Sequence, residues 1–163
     1  MTRQRLTNDQ WSIETNCFVC EPSNPDGLGL EFHRDGDRVT TSFRLGSTYS
    51  GAPNFVHGGV TLAILDEAMA WASIALGEKF AVTASTSTDF DGPVFVDHTY
   101  EVTAWLEGQT ENEISARAEV RRDGATLVRS AARFVIVSEA VAIEAGATTA
   151  ERELFRSGGD GLT

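Results

Sequence analysis

The apolar run from Val60 to Leu76, VTLAILDEAMAWASIAL, constrains this chain more than any other segment. Only Thr61, Asp66, Glu67 and Ser73 are polar, and neither Gly nor Pro interrupts it, so it predicts a helix that is apolar almost all round and lies inside the protein. Such a helix needs an enclosing layer of other elements. At about 100° per residue Asp66 falls beside Leu62, Ala70 and Ser73, whereas Glu67 points roughly a quarter-turn away, beside Ala63, Ile64 and Ile74. Burial of an unpaired carboxylate is costly or raises its pKa, so at least one of the two acids is expected to open onto a polar cavity. The plain alternative is one wet stripe with two satisfied surface acids.

The enclosing layer is legible on both sides of this run. Leu28 to His33 and Arg38 to Leu45 are short β-rich stretches around the hairpin signal Asp35-Gly36-Asp37. Four more follow the helix, from Phe80 to Phe90, Val96 to Glu107, Glu113 to Arg122 and Ala125 to Ser138, the last two joined by Asp123-Gly124. In the second of these Val96, His98, Tyr100, Val102, Ala104 and Leu106 alternate onto one face. Six strands linked mostly by hairpins, with one helix too apolar for a surface, predict an α+β fold in which an antiparallel sheet wraps a central helix. A ferredoxin-like sandwich is the runner-up, but it needs a second strong helix, and none is evident.

His57-Gly58-Gly59 stands directly before the helix. A helix N-terminus leaves N–H groups unpaired and partly positive, and glycines there let a ligand atom approach closely. That arrangement suits a carbonyl oxygen gaining negative charge during acyl transfer, although a tight turn into the helix also calls for glycine. Asp66 lies eight residues beyond Gly58, or about 12 Å at about 1.5 Å per residue, too far for one small carbonyl to touch both. Either the two features are unrelated, or the helix start of one protomer faces the aspartate of another, as a symmetric dimer would arrange twice.

With these residues in view, the segment GAPNFVHGGVTLAILDEAMA resembles the catalytic helix of the hotdog-fold thioesterases, in the branch of the PaaI-like acyl-CoA thioesterases. CFVCEPSNPDGLGLEF upstream is similar to a segment common in that branch, and the likeness runs from about Cys17 to Val137. The resemblance implies a hotdog fold and hydrolysis of an acyl-CoA or acyl-pantetheine thioester without metal or organic cofactor. It also implies site roles. Asp66 would be general base or nucleophile, Gly58 the donor to the thioester carbonyl, Thr83 the hydroxyl that orients water or carboxylate, and His57 the residue positioning loop or substrate. Asn54, Gly59, Arg121 and Arg122 are the candidate substrate contacts. The chain departs from the family pattern at Glu21, where glycine is common, and at Asp91, where a basic residue often precedes the turn proline. A non-catalytic acyl-CoA or apolar-ligand binder, and a hotdog hydratase or dehydratase using His57 or His98 beside an acid, remain as alternatives.

Net charge is −11, which argues against nucleic acid and anionic membranes as partners. Coenzyme A phosphates would then need a local basic patch, for which Arg117, Arg121, Arg122, Arg129 and Arg133 on the last two strands are candidates. Cys17 and Cys20 supply two thiols where a structural zinc site needs four ligands, so they read as small buried thiols bracing a loop, with no metal expected. The sequence predicts an N-terminal extension over residues 1–16 with a short helix, one domain over 17–138, and a partly mobile tail over 139–163 with a short helix around Ala150 to Phe155. No apolar leader or spanning run is evident, which makes the cytoplasm the expected location, with a homodimer or a dimer of dimers as the expected assembly.

Overall fold

The computed structural model describes residues 3–11 and 13–145. Its strands are β1 (Gln4–Leu6), β2 (Phe32–Asp35), β3 (Arg38–Phe43), β4 (Ser50–Ala52), β5 (Phe55–Val56), β6 (Ala81–Phe90), β7 (Tyr100–Gln109), β8 (Glu113–Arg122) and β9 (Ala125–Ile136). The helices are α1 (Gly58–Ala75) and α2 (Glu139–Glu144). Seven strands form one antiparallel sheet in the order β1-β2-β3-β7-β8-β9-β6, and β4-β5 is a separate hairpin. The sheet curls around α1, as the apolar helix required.

Strict alternation builds the inner face. Tyr100, Val102 and Ala104 on β7, Ile114, Ala116, Ala118 and Val120 on β8, and Val128, Ala132, Phe134 and Ile136 on β9 are all buried, while the residues between them face outward. The helix answers with Ile64, Leu65, Ala68, Met69 and Ala72, each fully buried. Alanines at the middle of the sheet leave room for those larger side chains. The β8–β9 turn carries Asp123 at φ 51° and Gly124 at φ 82°, the paired left-handed geometry that a two-residue hairpin loop demands.

Four details differ from the sequence reading. The sheet has a seventh strand, because Gln4–Leu6 pairs with Phe32–Arg34 and buries Leu6, although QRL carries no β pattern. The strand expected from Leu28 starts only at Phe32, since the Leu28 and Leu30 amides donate instead to the Phe18 and Val19 carbonyls. The strand expected from Val96 starts at Tyr100: Asp97, at φ 61°, breaks the extended backbone, and the Val96 amide donates to Asn54 O. Residues expected to begin a tail form α2, capped by Ser138 Oγ accepting from the Val141 amide, with Ala142 buried. The N-terminal segment also holds a 3-10 turn, Asn8–Trp11, whose Trp11 packs on Trp71 with ring centroids 5.7 Å apart. The helix expected around Ala150 to Phe155 lies outside the described residues. Among those described, no helix is long and apolar enough to cross a membrane.

Candidate active site

His57 is the N-cap of α1. Its Nδ1 accepts the Gly59 amide at 2.9 Å, its carbonyl accepts the Val60 and Thr61 amides, and its own amide donates to Tyr49 O. The ring lies against Gly51, where an added Cβ would come within 2.9 Å of the imidazole. Gly59 therefore spends its N–H on the cap. Gly58 does not: its exposed N–H has no partner among the described residues, and Phe90 Cζ lies 3.5 Å from where a Gly58 Cβ would stand. The helix start thus offers one free donor beside an aromatic ring.

Two turns further along, Asp66 turns toward β6. Thr83 Oγ1 donates to Asp66 Oδ1 at 2.8 Å, joining helix and edge strand. Burial raises the Asp66 pKa, and this hydrogen bond works against the rise by favouring the carboxylate. A bulge makes the geometry compatible with the helix start. Thr83 pairs with Phe134 and Ser85 with Arg133, so Ala84 is extra, and the inner face passes from Thr83 to Thr86, Thr88 and Phe90. Thr83 and Phe90 are seven residues apart and would otherwise fall on opposite faces. With the bulge, one strand serves both ends of the site, Phe90 at Gly58 and Thr83 at Asp66.

Glu67 points elsewhere. It is mostly buried beside Cys17 and Cys20, and burial pushes its carboxyl up to about 7. The two neighbouring acids thus face separate environments, as the helical arc implied, and Glu67 meets the thiols of Cys17 and Cys20.

A family model described as the thioesterase superfamily matches residues 53–129, the span from the β4-β5 hairpin through most of the sheet. The chain has the hotdog fold of the thioesterase superfamily. A crystal structure described as a thioesterase superfamily protein superposes with a TM-score of 0.68 at 27% identity, over 74% of this chain and 60% of that one, so the chain spans less than two thirds of that relative. The E. coli PaaI protein from the phenylacetic acid degradation operon matches with a TM-score of 0.61 at 21% identity, over 66% of this chain and 83% of that one. A Streptococcus mutans protein solved with acetyl CoA matches with a TM-score of 0.59 at 15% identity, over 62% and 82% respectively. At those identities the last two show the fold alone. No curated protein matches the chain.

Within this hotdog, the remaining sequence-derived candidates are dispersed. Asn54 occupies a left-handed turn position at φ 65°, and its carbonyl accepts the Val96 amide, which accounts for its place in the hairpin without a ligand. Arg117, Arg121, Arg129 and Arg133 alternate with the buried residues of β8 and β9, so they project from the outer face, away from α1. Each is engaged: Arg117 with Glu107, Arg133 with Glu113 at 2.6 Å, Arg129 with Asp91 at 2.7 Å, and Arg121 with Gly124 O at 2.9 Å. Arg122 pairs with Asp123 at 3.2 Å. Arg117, Arg129 and Arg133 therefore belong to a mixed-charge outer surface, whereas Arg122 also lies over the Tyr100 ring, 5.9 Å from its centroid. His98 Nδ1 bonds Val96 O at 2.8 Å. Sequence reasoning missed Phe90 and the Ala84 bulge; an aromatic ending a strand of Ser and Thr was the available signal for the first, and a bulge leaves none.

Proposed function

We propose that this hotdog is a cytoplasmic acyl-CoA thioesterase whose sites are shared between the two subunits of a homodimer. The observation that carries the reading is the Thr83–Asp66 hydrogen bond at 2.8 Å on a strand whose other edge is bare. An acid held there is incomplete alone. The complementary group, the free Gly58 N–H, lies about 12 Å along the same helix, so a second copy brings the two together. The acetyl CoA bound by the S. mutans neighbour supports a CoA thioester as the substrate class.

In this reading the thioester carbonyl accepts the Gly58 N–H at the positive end of α1. Asp66 of the partner subunit, oriented by Thr83, takes a proton from water as the oxygen attacks the carbonyl carbon. The tetrahedral intermediate collapses with loss of the CoA thiolate, which recovers a proton, leaving a carboxylic acid and free CoA. His57 acts by capping the helix. Its Nδ1 is committed to Gly59, and neither its ring nor that of His98 has a carboxylate partner within the chain among the described residues.

Thiol release across a panel of acyl-CoA and aryl thioesters tests the assignment. Activity is expected in the wild type, with kcat of Asp66→Asn lower by roughly 10² to 10⁴, the range for a lost general base. Near-normal turnover by the variant would remove Asp66 from the mechanism, and no thiol release from any substrate would favour a non-catalytic binder.

A further inference from the structure

About a quarter-turn around α1 from Asp66, the fold gathers three acidic donors that the proposed hydrolysis does not use. Cys17 and Cys20 come from the loop before β2, and Glu67 from the middle of α1. Their two sulfurs and one carboxylate oxygen all lie within 4.8 Å of one another. We propose that Cys17, Cys20 and Glu67 bind one thiophilic divalent cation of the zinc type, with a fourth coordination position open to the adjoining cavity.

Geometry supports the donor set. Zinc takes thiolate at about 2.3 Å and carboxylate at about 2.0–2.2 Å, so tetrahedral donors stand roughly 3.5 Å apart, and closure from the observed spacing requires only rotamer-scale movement. The scaffold holding them is fixed. The Cys17–Cys20 turn is pinned by the Leu28 amide donating to Phe18 O at 2.6 Å, the Leu30 amide to Val19 O at 2.9 Å and the Glu21 amide to Cys17 O at 3.1 Å. Glu67 stands on the most buried helix of the molecule. Donors suited to thiolates are also in place: the Val19 amide reaches Cys17 Sγ at 3.4 Å and Asn8 Nδ2 reaches Cys20 Sγ at 3.8 Å.

Charge and space argue the same way. A cavity of about 320 Å³ adjoins the cluster, and no Lys, Arg or His is among the described residues lining it, while Glu14 adds a further acid. No cationic side chain lines that cavity among the described residues, and a bound dication would supply the positive charge that lets the three groups act as thiolates and carboxylate. Trp71 lines the same cavity, and its indole N–H is buried without a partner among the described residues. Three protein donors with one open position are the arrangement of ligand-binding rather than closed structural zinc sites. The expectation of no metal rested on two thiols alone; the fold adds the third donor from a distant part of the chain.

The test is a Co²⁺ titration of the full chain, kept reduced with a phosphine and stripped of metal. One Co²⁺ per chain is expected, with a thiolate-to-cobalt charge-transfer band and tetrahedral d–d absorption, both displaced by Zn²⁺. Cys17→Ser and Cys20→Ser should lose the band, Glu67→Gln should weaken binding more than tenfold, and Asp66→Asn should bind as the wild type does. Circular dichroism melts check that the variants fold, and Glu67→Gln, which keeps the side-chain shape, is decisive if the serine variants do not. No charge-transfer band in the reduced wild type, or unchanged affinity in Glu67→Gln, overturns the proposal. So does formation of a Cys17–Cys20 disulfide without metal uptake by the reduced form, which would assign the pair to redox chemistry.

Discussion

Asp66 is held between two opposing influences, burial that raises its pKa and the Thr83 hydroxyl that lowers it. Removing the hydroxyl leaves burial unopposed. Thr83→Ala is therefore expected to lower kcat about tenfold, roughly 1.4 kcal/mol in the barrier. The acid limb of kcat/KM should also move to higher pH, because a general base works only as its carboxylate and the variant holds its proton longer. A limb that stays in place in the pH–rate profile, with an unchanged rate, would leave Thr83 as a mere strand residue. The Asp66–Thr83 pair was legible in sequence because both lie in one helix-to-strand unit whose spacing the family resemblance carries. The surroundings of Glu67 were not. Its neighbours come from a loop whose path depends on Leu28 and Leu30 bonding to Phe18 and Val19, and no local pattern announces that.

At the scale of elements, periodicity revealed the apolar helix and the long hairpins, because alternation and turn glycines act locally. It failed where a tertiary contact overrode the local pattern. Val96 and His98 continue the alternation of β7, yet Asp97 at φ 61° detaches them from the strand. Ser138, at the start of an Ala- and Glu-rich run, was a readable cap for α2. The bulge at Ala84 leaves no trace in composition, yet it interrupts the regular strand beside Asp66. Deleting Ala84 preserves every Cα pairing on either side, since Thr83 and Ser85 already oppose consecutive residues, Phe134 and Arg133. The deletion variant is thus expected to fold and melt cooperatively within a few degrees of the wild type, roughly a 1 kcal/mol change. Straightening the strand re-aims Thr83, so kcat/KM should fall more than tenfold. Full activity in a folded deletion variant would show that the bulge has no part in placing the hydroxyl.

The whole molecule has one conspicuous edge. β6 ends the sheet, nearly all of it is exposed, and Val82 and Phe90 leave 42% and 51% of their surface in water. A long edge strand of this kind, with Asp89 its one charged residue, is a liability unless another chain covers it. The same edge carries Thr83 beside Asp66 and Phe90 beside Gly58, so in the proposed dimer covering it and completing the site are one event. If each site takes Gly58 from one subunit and Asp66 from the other, two separately inactive variants should rescue each other. Gly58→Val blocks the carbonyl position, and Asp66→Asn removes the base. In a mixed dimer one site inherits both defects and the other inherits neither. Unfolding and refolding equal amounts together should therefore restore about a quarter of wild-type activity per subunit, as random pairing dictates for a two-fold dimer. The parent variants refolded alone stay inactive. A mixture that remains inactive, although light scattering shows that subunits have exchanged into dimers, would mean that each chain builds its own site and that the bare edge of β6 serves assembly alone.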